Sequence, residues 1–154
     1  MTLPASPPMS MSQIAAELGL SLPLWLSHGW VLALAGKSGA PVSFSDLLGK
    51  TGRFDGALTG QDTGGVALFV NFPASTPFFD TTLVTLEKDT TPQTVLTTSV
   101  PSAHWSGKVR AINNTTGVSV VMPKFSATQW VAPSAPANLI RSGHTDSFTI
   151  LPSA

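Results

Sequence analysis

The sequence predicts a mainly β fold, an antiparallel β-sandwich or Greek-key barrel of about seven strands, preceded by a small head of two or three short helices. From Phe54 onward, runs rich in β-branched residues show a period of two, and turn residues interrupt them about every ten positions. Upstream, one short phrase is written twice. Ser10-Met11-Ser12-Gln13-Ile14 and Ser43-Phe44-Ser45-Asp46-Leu47 share the order Ser, bulky apolar, Ser, polar or acidic acceptor, bulky apolar.

Each phrase reads as a capping box, with Ser10 or Ser43 as N-cap and Gln13 or Asp46 reaching back to the N–H of the cap. Each is followed by a glycine, Gly19 or Gly49, suited to a left-handed C-cap. Helices this short need a surface to pack on. Between them, Leu18 to Gly36 has no Asp, Glu, Lys or Arg and holds Trp25 and Trp30. Pro23, the polar Ser27-His28-Gly29 and the lack of flanking Lys or Arg clusters argue against a membrane span. No basic n-region marks it as a signal peptide. The stretch parses as an extended segment over 20–26, then a helix from about His28 to Ala35, with Ser27 as N-cap and Gly36 as C-cap. The lead, Met1 to Pro8, with Pro4, Pro7 and Pro8, is expected to be extended and loosely held.

After a hinge at Lys50–Arg53 come the strands. Phe54–Thr59 is the first, and Gly60 to Gly65 a turn. Val66–Phe72 reads as a central strand that Pro73 to Pro77 breaks. Thr81–Lys88 and Thr94–Thr98 follow. Lys108–Ile112 alternates, with Val109 and Ala111 on one side and Lys108 and Arg110 on the other. Asn113–Gly117 turns into Val118–Met122, which Pro123 stops. A proline-interrupted stretch through Trp130 leads to Ser147–Leu151. The domain division is therefore a helical head at 1–52 and a β-domain at 53–154. The head is expected to pack on the β-domain or to dock on a neighbouring subunit.

Composition excludes several functions. Charged residues make up 10% of the 154 and balance to zero, which gives nucleic acid no basic face to bind. Low charge favours association and a place inside an assembly, as a symmetric homo-oligomer. The chain has no cysteine, hence no disulfide framework and no thiolate metal site.

Gly36-Lys37-Ser38 and Gly49-Lys50-Thr51 end as a P-loop ends, but Val31 and Phe44 stand where its first glycine is needed. Both read as helix ends with a lysine near the negative pole. Ser142-Gly143-His144-Thr145-Asp146-Ser147 bunches triad residue types without a nucleophile elbow, and reads as a turn. His28, His104 and His144 lack ligand spacing. No catalytic residue, metal site or cofactor is expected. The eight residues Ile14, Leu18, Leu24, Trp25, Trp30, Leu34, Phe44 and Leu47 are the candidate docking interface. Trp105 and Trp130, in loop-like stretches, are the candidate surface contacts for an outside ligand such as a sugar.

The head resembles a segment that recurs in small virion proteins of tailed bacteriophages. The pieces are Ser10-Met11-Ser12-Gln13-Ile14, Glu17-Leu18-Gly19, Leu32-Ala33-Leu34-Ala35-Gly36 and Ser43-Phe44-Ser45-Asp46-Leu47-Leu48-Gly49-Lys50-Thr51, in that order, over about a quarter of the chain. The resemblance implies a structural virion subunit, made in the host cytoplasm and resident in the particle, of the minor tail or tail-tip type. Its partners would be other virion proteins, with the β-domain projecting outward, toward the host surface in a tail-tip position. The alternatives are a capsid-decorating (cement) protein or a host-surface, carbohydrate-binding module.

Overall fold

The computed structural model describes residues 2–102 and 104–154; Met1 and Ala103, and with Met1 the start of the expected lead, lie outside the described residues. Helix α1 spans Met11–Leu18 and carries the full capping box: Gln13 N–H donates to Ser10 Oγ, and Ser10 N–H donates to Gln13 Oε1. Gly19 closes it at φ +66°, where its missing Cβ leaves room for Leu151. Helix α2 spans Gly29–Ala35 and ends at Gly36, also left-handed. Its N-cap is His28, one residue beyond the expected Ser27, because His28 Nδ1 accepts from Trp30 N–H at 3.2 Å. Helix α3, Phe44–Leu47, begins with Asp46 accepting from both the N–H and the hydroxyl of Ser43. Leu48 is its C-cap residue, and Gly49 follows at φ +68°, the left-handed conformation expected of it.

Two expectations for the head are corrected. Residues 20–26 are bent and irregular, not extended, and Leu24 is buried. The lead is held down from Leu3 on: Leu3 N–H donates to Lys50 O, Gly49 N–H donates to Pro4 O, and the Leu3 side chain is buried.

Nine strands follow among the described residues: β1 Phe54–Thr59, β2 Gln61–Asp62, β3 Leu68–Phe78, β4 Thr81–Lys88, β5 Thr94–Thr98, β6 Lys108–Asn113, β7 Val118–Met122, β8 Gln129–Ala132 and β9 Thr145–Ser153. They form two antiparallel sheets, β1-β9-β6-β7 and β2-β3-β4-β5-β8, so the fold is a sandwich. On β6, Val109 and Ala111 face the core while Lys108 and Arg110 face solvent, as the alternation predicts.

The prolines are where the sequence misleads. Pro73 and Pro77 do not end β3; the strand runs on to Phe78, and its register with β4 shifts between Asn71 and Thr76. Strand β2 pairs only with Leu68 and Phe69, so the rest of β3 is an edge, where a proline forfeits no ladder bond. Pro152 lies inside β9 for the same reason, since β1 pairs with β9 only as far as Ile150.

Two apolar cores result. One lies between the sheets, around Val70, Phe78, Leu86, Leu96, Trp130 and Phe148. The other lies inside the head, around Ile14, Leu18, Val31, Leu34 and Leu47. Trp30 and Phe79 touch both, so the head packs on the sandwich.

Candidate functional site

The junction of head and sandwich carries most of the unusual chemistry. Glu17, on the inner face of α1, is fully buried, and its Oε1 accepts from the N–H groups of Gly52 at 2.7 Å and Arg53 at 3.0 Å. Arg53 answers by donating from Nη1 to Ala16 O. Burial pushes the Glu17 carboxyl above its ordinary value, against the pull of these donors. An aromatic stack completes the joint: Phe79 lies flat on Trp105 at 5.0 Å between centroids, and Trp30 meets Trp105 edge-on at 5.1 Å.

Beside this stack opens a cleft of about 670 Å³ between α2 and the loop at 104–107. Trp30, Ala33 and Gly36 form one wall, His104, Ser106 and Gly107 the other, with Lys37 and Ser38 at the rim. Glycine is needed at two of these places. A Cβ on Gly36 would stand 2.7 Å from the His104 ring, and one on Gly107 would stand 2.6 Å from the Trp105 ring. Both basic side chains at the cleft have acidic neighbours. Lys37 Nζ donates to Asp46 at 2.8 Å and to Pro41 O; that bond and those from Ser43 hold the Asp46 carboxyl at about 2. His104 Nδ1 lies 3.9 Å from Asp80, which also accepts from the Ser102 hydroxyl and the His104 N–H.

Of the eight residues expected to dock, five are spent inside the protein. Ile14, Leu18, Leu24, Leu34 and Leu47 form the core of the head, because helices this short must face one another to bury anything. Trp30 is half-buried in the joint. Trp25, at 72% exposure, and Phe44 are exposed, joined by Leu22, which is not among the eight.

The expectation for Trp105 and Trp130 is overturned: both are buried, Trp130 completely. Trp130 sits not in a loop but on β8, paired with β5. Its indole N–H donates to Gly107 O at 2.9 Å, and the Trp105 indole N–H donates to Lys108 O. The Lys124 amine lies 3.5 Å over the Trp130 ring, buried and without a hydrogen-bond partner among the described residues. Burial lowers its pKa, opposed by the charge of Asp80.

The bunched triad types near residue 144 serve the fold. Asp146 is buried and accepts from Arg141 and Asn113, which hold its carboxyl below the usual range although burial opposes them. No group of three His, Cys, Asp or Glu placed to hold a metal occurs among the described residues, and no described helix is long and apolar enough to cross a membrane.

Fold and junction define a small β-sandwich protein with a helical head clamped to it. Comparison with protein-family models, curated proteins and solved structures finds no match.

Proposed function

We propose that this chain is a structural subunit of a tailed-bacteriophage virion, of the minor tail or tail-tip type, which attaches through its head to another virion protein. The observation that carries the reading is the loop between α1 and α2. It holds Leu22 at 56% exposure and Trp25 at 72%, within a stretch free of charged residues. A tryptophan held out from a packed head suits a docking anchor, since tryptophan is enriched among the residues that dominate interface energetics. Burying large side chains of this kind is worth ~1.5–3 kcal/mol each, and a few in one contact give lasting attachment. The order of capping and glycine phrases in the head, which resembles that of small virion proteins, supports the same reading.

The test is incorporation into particles. Quantitative mass spectrometry of purified virions should find this chain at low copy number relative to the major capsid protein, and Leu22→Ser/Trp25→Ser should fold normally yet be missing from particles. A chain absent from wild-type virions, or a double variant incorporated at the normal level, refutes the proposal. A copy number that matches the capsid subunit or a fixed fraction of it replaces the tail assignment with capsid decoration.

A further inference from the structure

We propose that the cleft between α2 and the loop at 104–107 binds a neutral, hydroxyl-rich ring, one saccharide unit of a glycan. The size and position of the cleft fit a small ligand. A volume of about 670 Å³ lies within the usual range for such sites, and a junction between two packed units is where they often form.

The chemistry of the lining selects the class. Trp30 is half-buried and lines the wall, and an indole suits the C–H face of a sugar ring. The hydroxyls of Ser38 and Ser106 are exposed and have no partner among the described residues, so they are free to exchange hydrogen bonds with ligand hydroxyls. Lys37 is already paired with Asp46 at 2.8 Å, and His104 Nδ1 lies 3.9 Å from Asp80, so each basic group has a carboxylate of its own nearby. An acidic ligand would have to compete with Asp46 for Lys37. What the cleft offers is an aromatic wall, two free hydroxyls and matched charge. At Gly36 and Gly107 a side chain would collide with the His104 and Trp105 rings that border it. The site differs from the tryptophan pair that the sequence singles out: Trp130 takes no part, and Trp105 serves as buried support for Trp30.

The inference does not depend on the virion reading, because it is tested on the purified full-length chain. Neutral hexoses, N-acetylhexosamines and their disaccharides are titrated in and followed by the NMR signals of the Trp30 indole and of the amides at 36–38 and 104–107. Saturable shifts confined to these signals are expected with at least one neutral sugar at millimolar concentration. Ser106→Trp, at an exposed position, should fill the cleft and weaken that binding by at least about tenfold, with an unchanged melting temperature. No response to any sugar in the panel overturns the proposal. So does binding that survives Ser106→Trp, or a uronic acid that binds more tightly than its neutral counterpart.

Discussion

Replacing Glu17 tests the joint between head and sandwich. Its Oε1 is the acceptor for Gly52 N–H, which is buried, and for Arg53 N–H, which is half-buried. Glu17→Ala leaves both donors without that acceptor. An orphaned buried donor costs about 1–3 kcal/mol, so the pair sets a loss of roughly 3 kcal/mol once relief of the desolvated carboxylate is set against it. In a domain of this size that lowers the melting temperature by roughly 6–12 °C.

Glu17→Gln keeps an oxygen at the acceptor position and removes the charge, so it should stay within about 1 kcal/mol of wild type at neutral pH. The two variants also differ from wild type in pH dependence. Burial raises Glu17 above its ordinary 4.5, so the folded state holds this proton more tightly than the unfolded chain. The stability contributed by protonation is fully present below the unfolded value and is lost as pH rises through the folded value. Glu17→Gln lacks this term, and its stability relative to wild type should improve from about pH 4 to about pH 7. Urea unfolding of the three proteins across that range is the assay. A loss under about 1 kcal/mol for Glu17→Ala, or equal losses for the two variants, refutes the assignment of Glu17 as the joint's acceptor.

Gly60→Ala should cost about 1–3 kcal/mol, since its Cβ would run into the Arg141 carbonyl, which is backbone and cannot swing aside; Gly29→Ala, with nothing within 4 Å, is the neutral control, both read by urea unfolding. Lys124→Met keeps an apolar contact on Trp130 and removes an amine buried without a hydrogen bond, so the melting temperature should hold or rise, and a drop of several degrees would contradict this account. Burial pushes the Asp55 carboxyl up, but bonds from Arg53 and Thr149 outweigh it and hold it at about 2 against an ordinary 3.8. Its contribution is present above the ordinary value and is lost as pH falls through the folded one. Asp55→Asn should therefore be less stable than wild type at neutral pH, and an acid titration of both proteins should show the gap closing toward pH 2.

The sequence was most legible where a local rule acts alone. Ser10 with Gln13, and Ser43 with Asp46, reveal two helix starts because the capping partners lie three residues apart. The turn from Asn113 to Gly117 and the alternation of Lys108 to Ala111 are equally local. Legibility fails where distant chain decides. Whether Pro77 or Pro152 ends a strand depends on whether a neighbour pairs on that side, which no short window records. Strand β8 is four residues between prolines, and only its partner β5 makes it a strand. The eight apolar head residues could not be sorted into inner and outer faces by composition, because Trp25 and Leu24 differ only in which way an irregular loop turns them. His104 and Ser38 reach the same cleft through tertiary packing alone, with no shared motif to signal it.

The placement of β9 sets the order in which this protein can assemble. Among the described residues strand β1 pairs in its sheet with β9 alone, and Thr59 meets Thr145 across 86 positions. Strands β3, β4 and β5 need only short turns to pair, so on a growing chain that meander forms early while β1 stays unpaired. The arrival of β9 inserts between β1 and β6 and supplies Leu151 beneath Gly19 of the head. One late strand thus finishes a sheet and seats the helices on it. Long loop closure of this kind makes folding slow. Until that step the Gly19 end of α1 lacks the Leu151 side chain beneath it, although the apolar residues of the head already bury one another.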